Sequence, residues 1–227
     1  MFRFINSLLK TQCMRSILIL VFSILFIFNT DAQSDDYPDY RSKKEIFARI
    51  QEKDVRSDIA TFAMGGLDES VGKDPLQTIP VTAFSNNSIT FSNENIKIII
   101  SSTAFDASKH KLSFYDPEKK FLTKIDNKPF FGDYGKLPKN MVENVTVIFS
   151  RDTIIVPKEA LSDLANPQLS FSEGGKNKTQ SKVYLSNNGR NIYIYMIKPE
   201  AGGSYEVTWV IQDKKYLRRV VDFGFLR

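Results

Sequence analysis

The chain has 227 residues, 42% of them hydrophobic and 25% charged, with a net formal charge of +5. That is ample for a buried core. One cysteine, Cys13, and one histidine, His110, exclude a disulfide scaffold and cannot fill a typical zinc site.

Ile17 to Phe28 is an unbroken apolar run apart from Ser23, preceded by Lys10 and Arg15 and followed by Asn29-Thr30-Asp31-Ala32-Gln33. A basic lead, a short apolar stretch and small residues before a cut site predict a secretory signal peptide over residues 1–32, cleaved after Ala32. The rival, a membrane-spanning helix, is too short: twelve residues rise about 18 Å against a hydrocarbon layer of about 30 Å. Met14 is an alternative start to Met1. Cleavage removes Arg3, Lys10, Arg15 and Asp31, leaving 195 residues, a net charge of +3 and no cysteine. So weak a basic excess on an exported chain gives no reason to expect nucleic acid as a partner, and the membrane enters only through the leader during export. Asn86, Asn144 and Asn177 each begin an Asn-x-Ser/Thr triplet, which matters only in a host that glycosylates secreted chains.

Residues 33–66 read as a polar arm followed by one helical segment. Ser42 and Glu45 have capping-box spacing, Ile46, Phe47, Ile50, Ile59, Phe62 and Ala63 recur at roughly helical spacing, and Gly65-Gly66 suits a C-cap. The polar stretch from Glu52 to Asp58 allows two short helices instead of one. Gly66 to Pro80 is expected to be a loop.

Short β-type runs then alternate with turns: Val81–Phe84, Ser88–Phe91, Asn95–Ser101, Lys111–Tyr115, Phe121–Ile125, Val145–Phe149 and Thr153–Val156. Pro157 to Leu164 predicts one or two helical turns ended by Asn166-Pro167. Val183–Leu185 and Ile192–Ile197 flank Asn188-Gly189, a strong hairpin signal because both turn positions favour positive φ. In Tyr205–Ile211 the residues Tyr205, Val207, Trp209 and Ile211 share one face, with Glu206 and Thr208 on the other. Tyr216–Phe223 is expected to return with Leu217, Val221 and Phe223 together. The pattern predicts an all-β fold, mainly an antiparallel β-sandwich over residues 67–227, with one N-terminal α-helical segment.

No catalytic motif is present. His110 lies between lysines and no Gly-x-Ser-x-Gly elbow exists, so no catalytic residue is assigned. Asp106, Asp116, Asp126, Asp133 and Glu173 fall in loops or strand ends, where a pair could serve glycan hydrolysis, but spacing selects no pair among them. Asp35, Asp36 and Asp39 are too closely set for a calcium loop, and no metal or cofactor is expected. Gly174-Gly175 and Gly202-Gly203 read as hairpin loops, not phosphate cradles. Lys214, Lys215, Arg218 and Arg219 read as a solvated strand edge.

The candidate ligand-binding residues are aromatic. If Ile192, Ile194 and Met196 face the core, Tyr193 and Tyr195 stand on the opposite face, where rings can stack on a sugar or a partner; if Ile197 on that face is also buried, both faces are core. Phe130, Phe131 and Tyr134 form an aromatic loop of similar capacity. The expected function is therefore that of a secreted or periplasmic, non-enzymatic binding or envelope-associated accessory protein. Its expected partner class is a glycan or an envelope protein. The alternatives are a carboxylate-dependent glycan hydrolase and a carrier of a small apolar ligand.

Overall fold

The computed structural model describes residues 49–63, 75–200 and 202–223. The expected signal peptide, its cleavage site, the Asp35–Asp39 cluster, the Ser42 capping box and the Gly65-Gly66 C-cap lie outside them. Among the described residues no helix is long and apolar enough to cross a membrane.

Among the described residues one α-helix, α1 (Lys53–Ile59), precedes the strands. The first half of the β-structure comprises β1 (Gln77–Ile79), β2 (Val81–Phe84), β3 (Ser88–Ser92), β4 (Ile96–Ala104), β5 (Leu112–Phe114), β6 (Leu122–Ile125) and β7 (Asn140–Phe149). The second half comprises β8 (Thr153–Ile155), β9 (Phe171–Glu173), β10 (Lys176–Lys178), β11 (Lys182–Leu185), β12 (Asn191–Lys198), β13 (Tyr205–Gln212) and β14 (Lys215–Phe223). They form two five-stranded antiparallel sheets, in the orders β1-β11-β12-β13-β14 and β2-β3-β4-β7-β8. Hairpins β5–β6 and β9–β10 stand apart from them. Pro80 separates β1 from β2 and so carries the chain from one sheet to the other.

The two sheets press together over one core. Ile89, Phe91, Ile98, Ile100, Val145 and Val147 come from one, and Ile194, Met196, Val207 and Trp209 from the other. Within the regular stretches of these strands alternate residues point inward, so strand alternation builds both halves of this layer. Trp209 and Tyr205 satisfy their buried polar atoms on backbone carbonyls, donating to Ala160 and Ala165 at 3.0 and 3.1 Å. Those bonds hold the segment around the 3₁₀ turn Lys158–Ala160 against the sandwich.

A second core lies on the outer face of the β12–β13 sheet, beneath α1. Val55 and Ile59 of the helix pack with Ile50, Ala63, Leu76, Tyr193, Tyr195, Ile197 and Val210. Both faces of β12 are therefore buried, and all eight of its residues are shielded from solvent. Tyr193 and Tyr195 do not stand on an outer surface, because the helical layer covers them. A third, smaller core of Leu122, Ile125, Phe130, Met141 and Ala165 backs the β5–β6 hairpin.

Other expectations need correction in detail. α1 occupies the polar stretch that separates the predicted apolar positions, and β1 lies inside the predicted loop. The expected hairpin loop at Gly174-Gly175 is present: both glycines adopt positive φ and close the β9–β10 hairpin, whose strand residues are almost wholly exposed. At Asn188-Gly189 only the glycine takes positive φ; the Asn188 side chain instead accepts from the Arg190 amide and from the Ser186 hydroxyl. It is Asp213-Lys214 that supplies two positive-φ residues, in the β13–β14 turn. Leu217 lies on the helix-covered face while Val221 and Phe223 pack on the sandwich core. The pairing steps from Val210↔Arg218 to Ile211↔Tyr216, so Leu217 is the extra residue of a β-bulge that reverses the alternation.

Of the basic cluster Lys214, Lys215, Arg218 and Arg219 at the last hairpin, Lys215 is exposed as expected, but the other three are tied into the structure. Arg218 reaches Glu52 at 2.8 Å, tying the start of α1 to the sheet. Arg219 grips both Asp163 oxygens at 2.5 Å. Lys214 pairs with Asp152 at 3.2 Å and lies over the Phe149 ring.

Candidate functional site

The sandwich has two ends, and loops gather differently at each. At one end the β2–β3 turn, the end of β4, the start of β7, the 166–170 segment and the β12–β13 loop enclose a polar cleft of about 300 Å³. Asn86, Ser102, Asp133, Lys139, Asn140, Asn166, Gln168, Ser170 and Glu200 line it, with Pro167 and Leu169 as its apolar contribution.

The cleft is organised by Lys198. This residue continues the inward parity of Ile192, Ile194 and Met196 along β12, so its ammonium is carried into the sandwich end with only 2% of the side chain exposed. An ammonium so buried must be paired, and it meets Asp133 at 2.9 Å and Glu200 at 3.0 Å. Asp133 also accepts from Asn166 Nδ2 at 2.6 Å, while Asn166 Oδ1 receives the backbone amides of Lys139 and Asn140. Asn166 holds positive φ to do so. Burial would raise the Asp133 pKa, but the bonds from Lys198 and Asn166 outweigh it and hold the carboxyl below its ordinary value.

Glycines make this close assembly fit. A Cβ on Gly203 would fall on the Gly132 carbonyl, and a Cβ on Gly132 would press on the Ala165 carbonyl. The 132–134 loop can therefore lie flat against the β12–β13 loop, which delivers Asp133 to Lys198.

From Asp133 the chain runs directly onto an exposed aromatic ledge. Tyr134 is about half exposed, and its amide donates to the Gly202 carbonyl at 3.4 Å. The bare Cα of Gly135 lies against the Phe121 ring, and the Gly135 carbonyl accepts from Leu122. Tyr115, 86% exposed, donates its amide to the Phe121 carbonyl. Asp116 clamps the intervening turn by accepting from the amides of Lys120 and Phe121.

Of the five aromatic candidates, only Tyr134 belongs to an exposed surface. Phe130 is buried in the β5–β6 core and Phe131 packs against Tyr205 and Phe223. The Tyr193 and Tyr195 hydroxyls donate to Asp58 and Glu206, both at 2.7 Å, with Phe62 closing over them. Burial raises both phenol pKa values.

Among the carboxylates singled out in the sequence, Asp133 alone enters the cleft. Asp106 caps the turn at Ser108, Asp126 accepts from His110 and from the Lys111 amide, and Glu173 pairs with Lys178. His110 stacks on Phe105 and bonds Asp126 at 2.7 Å, while the nearby Ser108 hydroxyl donates to Asp106 instead. Among the described residues no group of three His, Cys, Asp or Glu side chains could hold a metal. Lys198, Glu200, Asn166 and Asn86 were not recognised in the sequence. A signal for Lys198 was present, a lysine on the core-facing parity of a strand; the others carry none.

At the opposite end, Ile96, Phe149, Ile192 and Ile211 line an apolar slot of about 360 Å³ between the sheets. Its rim carries the Arg190–Asp213 pair and Lys214. No family model, curated protein or solved structure matches the chain.

Proposed function

We propose that this chain is a secreted or periplasmic, non-enzymatic binding protein with an accessory role at the cell envelope, and that its ligand enters the polar cleft. The observation that carries the reading is the fixed Lys198–Asp133–Asn166 network at the floor of an open, hydrogen-bonding pocket. A network already complete before a ligand arrives costs little ordering on binding. Loop clusters at one end of a rigid sandwich are suited to recognition for the same reason. The basic-apolar-small pattern of residues 1–32 supports export, and a core that needs no disulfide is compatible with it.

The hydrolase alternative is less well supported. Asp133 and Glu200 each place an oxygen within 3.0 Å of the Lys198 ammonium, so the two oxygens are at most about 6 Å apart, a range that admits the spacing of a retaining pair. However, Lys198 is bonded to both, and Asp133 is held ionised, so it has no proton to donate to a leaving group. The carrier alternative draws on the slot at the other end, whose lining is apolar but which opens at the hairpin tips.

Two measurements test the proposal. N-terminal sequencing of the chain from the envelope or medium is expected to begin at Gln33; an unprocessed chain confined to the cytoplasm would overturn export. A thermal-shift screen of small ligands on the full protein is expected to yield binders that Asn86→Ala and Glu200→Ala weaken. Binders indifferent to both substitutions would place recognition elsewhere.

A further inference from the structure

We infer that the ligand of the cleft is an uncharged saccharide, held by hydrogen bonds beside Glu200 and stacked along the ledge of Tyr134, Phe121 and Tyr115. This rests on the binding reading above and adds its chemistry.

Charge argues first. Lys198 pairs with both Asp133 and Glu200, and Lys139 adds a second positive charge to the lining, so the formal charges in and beneath the cleft sum to zero and favour neither a cationic nor an anionic ligand by net charge. What remains is a lining dominated by amides and hydroxyls, including Asn86, Gln168 and Ser170. Groups that both donate and accept are matched by ligand hydroxyls, which also do both. An apolar ligand would leave those groups unpaired, at a cost that excludes it.

The ledge supplies the second argument. Among the described residues, Tyr115, Phe121, Tyr134 and Leu137 are exposed large apolar side chains. The β5–β6 hairpin buries Leu122 and Ile125 in the small core with Phe130, so Tyr115 and Phe121 in its connecting turn are exposed on a supported element, and Gly135 against the Phe121 ring ties Tyr134 to them. Flat rings beside a hydrogen-bonding cleft suit a molecule with apolar C–H faces and hydroxylated edges. Asp133 lines the cleft, whereas Tyr134, Phe121 and Tyr115 lie outside its lining and are linked to Asp133 through Gly135 and the Phe121 backbone, so a ligand that reaches both needs several sugar units rather than one.

The test is calorimetry on the full protein with uncharged hexasaccharides (chito-, cello-, xylo-, malto- and laminari-series), their monosaccharides, and charged polygalacturonate and heparin fragments. At least one uncharged hexamer is expected to bind with little dependence on salt. Tyr134→Ala and Glu200→Gln should each weaken it about tenfold or more while the protein stays folded, with only a small change in melting temperature. Tyr115→Ala should weaken the hexamer but not the monosaccharide. If only the charged polymers bind, or if Tyr134→Ala and Tyr115→Ala leave saccharide affinity unchanged, the inference is overturned. If no saccharide binds while another ligand, such as a peptide, shifts the side-chain amide signals of Asn86 and Gln168, the saccharide inference fails and the binding reading stands. If nothing perturbs those signals, both fail.

Discussion

Lys198 is the residue on which the cleft is hung. Removing one partner of a buried ion pair strands the other, which usually costs about 3–5 kcal/mol. Asp133 keeps some contact with water, so Lys198→Met should cost less, about 2–3 kcal/mol in urea unfolding. Glu200 is 65% exposed, and Glu200→Gln should cost under about 1 kcal/mol. Equal effects from the two substitutions would show that burial does not separate their roles. Asp133 adds a pH dependence of definite sign. Its carboxyl is depressed in the folded state, so its contribution is present above the unfolded value of about 3.9 and is lost as pH falls through the folded value. Urea midpoints should therefore fall below about pH 4 less steeply in Asp133→Asn than in the parent. Parallel curves would refute the assignment.

At the scale of elements, α1 shows how tertiary contacts create a helix that local preference would not. Seven residues are too few to be helical alone, and no side chain caps the N-terminus. Val55 and Ile59 hold it on the sheet, with Asp58 and Glu52 bonding Tyr193 and Arg218. Ile59→Ala should destabilise the whole protein by about 2–4 kcal/mol, measured by denaturant unfolding. A loss below about 1 kcal/mol would mean that the helix is a loosely attached cover. The β5–β6 hairpin is the converse case: its turn chemistry at Asp116-Pro117 was legible in the sequence, but its role as the support of a ledge depends on Gly135 and Leu122, brought together only by folding.

The described residues form three layers, a sheet pair and a helical cover sharing β12 and β13. Tyr193 and Tyr195 lie in one interface and Tyr205 in the other, and burial raises the pKa of all three. A raised phenol pKa means stability that is present below the ordinary value of about 10 and lost as pH rises beyond it. Tyrosinate absorbance from these three rings should thus appear only together with the loss of β-sheet circular dichroism. Full ionisation without unfolding would contradict the layering.

The sequence by itself determined what depends on neighbours along the chain: strand alternation, turn positions, the inward set Tyr205, Val207, Trp209 and Ile211, and hence the antiparallel all-β class. Period-two patterning records which side of a strand is apolar, but not what lies against it, so the cover over Tyr193 and Tyr195 could not be read from it. Tertiary structure alone decided the Leu217 bulge, the β1 edge strand, and the meeting of Asp133, Asn166 and Lys198 from segments 32 or more residues apart. The physical reason is that ion pairing and close glycine approach are fixed by distance in space, for which distance in sequence is no guide.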